Sequence, residues 1–147
     1  MFKTIVAAVD GSNHSFRALD VAVDLARKYE GRLLLISVFR HHSVMENTHS
    51  LIRTREGMPD PDAAMREFSQ EIVDSAADYV KKQGFDAVDG HVRRGPPART
   101  IAEFAKEARA DAIVMGSRGL GDVTGLLLGS VSHKVGSLSS CTTITVK

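Results

Sequence analysis

Cysteine occurs once, at Cys141, so the chain can close no disulfide within itself. A lone thiol fits a reducing compartment. Long hydrophobic runs are missing as well. No stretch approaches the roughly 18 apolar residues of a membrane span, so none is expected. The opening Met1-Phe2-Lys3-Thr4-Ile5-Val6 lacks the charged region, apolar core and cleavage site of a secretory signal. Together these absences make a cytoplasmic protein the simplest expectation. An excess of one charge is also lacking: 19 Lys and Arg stand against 18 Asp and Glu, a net of +1. A general nucleic-acid binder carries a domain-wide basic excess, so nucleic acid is not an expected partner. A small local anion site remains compatible with that balance.

What is present is ordinary for a globular protein: 147 residues, 43% hydrophobic and 25% charged. That length suits one domain, residues 1–147, able to bury roughly 70% of the surface its unfolded chain exposes. Ile5 to Val9 and Leu33 to Phe39 are apolar runs too continuous for strands with one wet face. They read as strands covered by helices on both sides. Between them, Asp10-Gly11-Ser12-Asn13 supplies turn and helix-start chemistry, and Ala18, Ala22 and Leu25 recur at helical spacing from Ser15 to Tyr29. Gly31 is expected to close that helix. Asp62 to Lys82 predicts a long helix with Met65, Phe68, Ile72, Ala76, Tyr79 and Val80 on its apolar face. Ala87–Val92 predicts a third strand, Thr100–Ala108 a helix, Ala112–Met115 a fourth strand and Thr142–Val146 a fifth. Strands alternating with helices imply parallel crossovers and an α/β layer fold.

Residues 40–61 break the rhythm. A loop of about 20 residues needs a functional or disordered explanation. Part of it, around His49 to Thr54, is compatible with a short helix.

The most informative stretch runs from Gly116 to Ser132. It starts where the fourth strand stops, and its glycines let the backbone turn tightly and approach a ligand. A short helix is expected from Gly129 to about Val135. Its first N–H groups have no partner within the helix and can face a phosphate. Ser130 and Ser132 can donate hydroxyl hydrogen bonds, and Arg118 can add charge at the same end of the sheet. This is not a P-loop, because no Gly-Lys-Ser/Thr is present, nor a dinucleotide fingerprint, because no G-x-G-x-x-G follows the first strand. Taken as composition alone, the glycines are equally compatible with a plain turn.

The spacing Gly116-x2-Gly119-x9-Gly129-Ser130 resembles the G-x2-G-x9-G-[S/T] signature of nucleotide-binding members of the universal stress protein family. Ile5-Val6-Ala7-Ala8-Val9-Asp10-Gly11-Ser12 is similar to that family's first strand and turn. Gly95-x-Pro97 followed by Ile101 resembles the start of its third helix, and Ser139-Ser140-Cys141 to Val146 its last strand. The resemblance spans nearly the whole chain. It implies an open five-stranded parallel sheet in order 3-2-1-4-5 with helices on both faces, of the adenine nucleotide α-hydrolase-like class. The first and fourth strands then flank the switch point where such sheets bind ligands.

Carried over residue by residue, the resemblance implies that Ala8 and Val38 border the adenine, with Val9 beside them among the cofactor-binding residues and Asp10 near the ribose or positioning a metal. Met115 and Gly116 then border base and sugar. Arg118, Gly119, Gly129, Ser130, Val131 and Ser132 approach the phosphates. The implied ligand is ATP, and its charge suits Mg²⁺ or Mn²⁺, although the sequence shows no metal cage.

Each feature has a plainer reading. Asp10 suits a turn or cap. His41, His42 and His49 suit an exposed loop, a nucleotide cover or a partner contact rather than a metal site, and His133 suits the surface. Arg53-Thr54-Arg55 and His91-Val92-Arg93-Arg94 suit solvated faces. Cys141 suits a small buried residue, and Leu126-Leu127-Leu128 suits packing under the sheet or against another subunit.

The final strand is expected at an open sheet edge, which invites pairing. The resemblance implies a homodimer through 142–146, with a tetramer as a further assembly. The leading expectation is an ATP-dependent cytoplasmic regulator in stress response, acting on a protein partner such as a membrane transporter. A slow ATP-hydrolysing or phosphotransfer enzyme is the alternative, with no evident base or activated nucleophile. A structural dimer that binds no nucleotide is a third reading.

Overall fold

The computed structural model describes residues 1–40, 60–119 and 129–147. The 41–59 stretch with its histidines, Arg53, Arg55 and the expected short helix lies outside the described residues. So does the Leu126–Leu128 triplet.

The first strand, β1 (Thr4–Ala8), leads into α1 (Asn13–Lys28) and β2 (Arg32–Phe39). Then follow α2 (Pro61–Lys82), β3 (Val88–Arg94), α3 (Pro97–Glu107), β4 (Ala112–Gly116), α4 (Ser130–Leu138) and β5 (Thr142–Val146). The five strands form one sheet in order β3-β2-β1-β4-β5, with every pair parallel. Ala8 pairs with Ile36 on one side and Met115 on the other, so β1 and β4 end nearly level while β2 runs on to Phe39.

Alternation along the strands divides the core into two layers. Ile5, Ala7, Val9, Leu33, Leu35 and Val114 pack with α1 and α2 on one face. Val6, Leu34, Ile36, Ile113 and Met115 pack with α3 and α4 on the other. Both faces of the central strands are dry, which is why their sequences read as unbroken apolar runs.

Three expectations are corrected. The residue that closes α1 in left-handed conformation is Glu30 (φ 51°), not Gly31. Glu30 donates its N–H to Arg27 O and Gly31 donates to Ala26 O, a Schellman-type stop. Gly31 is required for another reason: a Cβ there would stand 2.6 Å from the carbonyl oxygen of Phe2. The apolar face of α2 is rotated from the expected one, because Ser69, Val73, Ala76 and Val80 are buried while Phe68 is 51% exposed. Val73 fits against Gly90 of β3, where a Cβ would lie 2.3 Å from Val73 Cγ1. The basic end of β3 is a solvated face as expected, with Arg93 and Arg94 exposed, and it also makes contacts. Arg93 lies 5.4 Å over the Phe104 ring, Arg94 pairs with Asp62 at 2.9 Å, and the His91 ring sits 4.9 Å from Phe104. Cys141 is half-buried beside the α3–α4 layer, not fully buried.

The helix after Gly95 begins at Pro97, earlier than the expected Thr100, since proline suits the first helical turn. That shift brings Pro97 and Ile101 to the carboxyl end of the sheet.

Candidate functional site

The polar end of the site is assembled around the peptide groups of Ser117. Where β4 stops, the Ser117 N–H donates to Val146 O at 2.7 Å, fastening it to the end of β5. Its carbonyl accepts the N–H of Gly129 and, at 3.1 Å, the hydroxyl of Ser132. The same hydroxyl lies 2.9 Å from Gly129 O. These bonds anchor the start of α4 beside β4. Gly129 is the N-cap, and the first intrahelical bond runs from His133 N–H to Gly129 O at 3.1 Å. The N–H groups of Ser130, Val131 and Ser132 therefore have no acceptor within the helix.

Ser132 differs from the sequence expectation. Its side chain is buried and its hydroxyl is engaged with two backbone carbonyls, so it shapes the helix start instead of reaching toward a ligand. Ser130 is exposed and retains that reach.

The opposite wall comes from the turn after β1. Val9 donates its N–H to Ile36 O at 2.9 Å, and Gly11 turns the chain with φ 84°. Ser12 caps α1, accepting the Ser15 N–H on its hydroxyl at 3.2 Å. Asp10 is thus not the cap. One of its oxygens, Oδ1, accepts the Ser12 N–H at 2.9 Å, while Oδ2 lies where a Gly119 Cβ would come within 2.6 Å. Gly116 is similarly constrained, because a Cβ there would stand 2.7 Å from His14 Cβ and 2.9 Å from the His14 carbonyl carbon. Two glycines of the motif are therefore explained by close approach, Gly119 to the carboxylate after β1 and Gly116 to the first turn of α1.

A cavity of about 520 Å³ opens at this end of the sheet, within the size range of small-ligand sites. All the candidate residues border it: Ala8, Val9, Asp10, Val38, Met115, Gly116, Arg118, Gly119, Gly129, Ser130, Val131 and Ser132. Ser15, Ile36, Arg40, Pro97 and Ile101 border it too and were not expected as site residues from the sequence. For Pro97 and Ile101 the signal was the Gly95-x-Pro97 turn. For Arg40 it was its place two residues beyond Val38.

The cavity is polarised. Ile36, Val38, Pro97 and Ile101 make an apolar end beside β2 and α3, and the start of α4, with Arg118 and Gly119, makes a polar end beside β4. Arg40 and Arg118 outnumber Asp10, the one carboxylate among the described lining residues. With the positive end of the α4 dipole, this favours an anion. Among the described residues, no group of three or more His, Cys, Asp or Glu side chains gathers as a metal site, and no helix is long and apolar enough to cross a membrane.

Proteins of known family share this framework. The chain is 35% identical to the universal stress protein YxiE of Bacillus subtilis over 152 residues, covering 100% of both chains. Its fold is similar to that of a universal stress protein crystallised in complex with cAMP, with a TM-score of 0.75, 24% identity and coverage of 99% and 97% of the two chains. It is also similar to the universal stress protein from Archaeoglobus fulgidus in complex with dAMP, with a TM-score of 0.72, 22% identity and coverage of 100% and 98%. The sequence profile of the universal stress protein family matches residues 1–147, and with a 35% identical relative aligned along its full length this settles the lineage: the chain belongs to the universal stress protein family.

Proposed function

We propose that the cavity binds an adenine nucleotide, ATP first among them, and that the protein works as a nucleotide-dependent regulator. The observation that carries this reading is the polarity of the cavity. Its apolar end suits a base, and its polar end offers three backbone N–H groups and a guanidinium to phosphates. The cAMP and dAMP complexes of the two similar folds support an adenine nucleotide as the ligand class. A triphosphate brings Mg²⁺ or Mn²⁺ with it, and Asp10 is the cavity carboxylate nearest that role.

Binding and release, not turnover, fit the described side chains. A single carboxylate, with Oδ1 already committed to the Ser12 N–H, supplies no acid–base pair. In the regulatory reading the nucleotide state is sensed in the cytoplasm and passed to a protein partner, a membrane transporter being one kind. The edge position of β5, half-exposed along Thr142–Val146, supports a homodimer through that strand.

Thermal unfolding of nucleotide-stripped protein, with and without ATP and Mg²⁺, tests the central claim. At about 100 times the dissociation constant, linkage gives about 2.7 kcal/mol of stabilisation. For a domain of this size that is a rise of roughly 5–10 °C. No shift at millimolar ATP removes the nucleotide reading.

A further inference from the structure

The base end of the cavity carries one charge that the nucleotide signature does not account for. Ile36 and Ile101 are buried and form its floor, while Val38 is half-buried above them. Arg40 stands at the rim: it follows β2, is exposed and borders the same cavity. Apart from Arg118 at the polar end, three arginines near this end of the sheet have partners. Arg66 lies 5.2 Å over the Phe39 ring, Arg93 lies over Phe104, and Arg94 pairs with Asp62. Arg40 makes no hydrogen bond, ion pair or ring contact among the described residues.

The polar end lies beside β4 and the apolar end beside β2, on either side of β1. Two strand spacings separate them, about 10 Å. That span suits a nucleotide with phosphates at α4 and its base on the apolar floor. A base lying flat there leaves its other face toward the rim, where Arg40 is rooted. A guanidinium is planar, permanently charged and weakly hydrated, so it stacks on aromatic faces in a way an ammonium does not.

We propose that Arg40 covers the outer face of the base, closing the apolar end of the site by stacking and not by contact with phosphate. This rests on the nucleotide reading above and deepens it, since it names a base-holding residue outside the glycine signature. The same stacking acts on adenosine, AMP and ATP alike.

The test is calorimetric titration of the nucleotide-stripped protein with adenosine, AMP and ATP–Mg²⁺, using wild type, Arg40→Ala, Arg40→Lys and Arg118→Ala. Arg40→Ala weakens all three ligands by a similar factor, about five- to tenfold. Arg40→Lys does not restore the loss, because the planar group is gone. Arg118→Ala weakens ATP and leaves adenosine nearly unchanged. If Arg40→Ala weakens ATP alone, Arg40 is a phosphate contact and the proposal is wrong; unchanged affinities overturn it equally. If wild type binds none of the three, the nucleotide reading itself has failed and this inference falls with it.

Discussion

A methyl group at Gly119 would stand 2.6 Å from Oδ2 of Asp10, so the second glycine of the motif and the carboxylate after β1 define one narrow passage. Asp10 cannot yield freely, because its Oδ1 holds the Ser12 N–H in the turn that starts α1. Overpacking of this kind costs about 1–3 kcal/mol. Gly119→Ala is expected to lower stability and weaken ATP binding together. In an Asp10→Ala background the added methyl has room, so the stability loss shrinks toward zero. A double-mutant cycle by urea denaturation measures that coupling. Additive losses would mean that the two residues do not constrain each other.

Ser130 and Ser132 sit two residues apart and should separate cleanly. Ser132 is buried and bonds Ser117 O and Gly129 O, whereas Ser130 is exposed at the first helical position. Ser132→Ala removes one hydroxyl donor while both carbonyls keep a backbone N–H partner. It therefore costs about 1 kcal/mol of stability, a melting shift of about 2–4 °C. Ser130→Ala changes stability by no more than about 0.5 kcal/mol and lowers affinity for ATP more than for adenosine. Melting curves and titrations of both variants check the division of labour. A stable Ser132→Ala protein would show that the hydroxyl bonds contribute little to holding α4.

Much of this arrangement was legible in the residues. Ile5–Val9 and Leu33–Phe39 announced buried parallel strands, because that pattern depends on local chemistry, and the glycine spacing after Met115, read through the family resemblance, pointed to the end of the sheet where the cavity opens. The strand order came from the family resemblance, not from periodicity. What escaped depends on distant partners. The rotation of α2 that buries Ser69 and leaves Phe68 exposed follows from the notch Gly90 opens for Val73, which lies on another element. The need for Gly31 comes from the chain near Phe2, not from the helix it follows. Ser132 reads as a phosphate donor until Ser117 O is brought beside it. Arg40 carries no motif at all and gains meaning only from the cavity it borders.

Gly31 and Gly90 offer a contrast in what a methyl group meets. At Gly90 the obstacle is Val73 Cγ1, a side-chain atom; at Gly31 it is the backbone oxygens of Phe2 and Lys3, at 2.6 and 2.9 Å. Both alanine substitutions should destabilise by about 1–3 kcal/mol. Adding Val73→Ala should recover part of the loss for Gly90→Ala by vacating the notch. In the Gly31→Ala protein it should bring no recovery and should add its own cavity cost in full. Urea midpoints for the two singles and the two doubles decide the matter. Equal behaviour of both doubles would contradict the packing described.

His91 gives the fold a pH dependence of known sign. Burial, and secondarily the nearby Arg93 charge, hold its pKa below the ordinary value of 6.5, with Asp89 opposing. The unfolded chain therefore binds a proton on His91 more readily than the folded one. Well above 6.5 both states are neutral at this site and stability is full. As pH falls through 6.5 toward the folded pKa, the unfolded state is protonated first and stability is lost. Wild type should accordingly lose more stability than His91→Gln between pH 7.5 and 5.5. Arg93→Ala should reduce the difference without abolishing it, since burial is the larger cause. Urea denaturation at three pH values across that range checks the slope. Parallel curves for wild type and His91→Gln would mean that the imidazole titrates alike folded and unfolded, and that its packing against Phe104 does not penalise its charge.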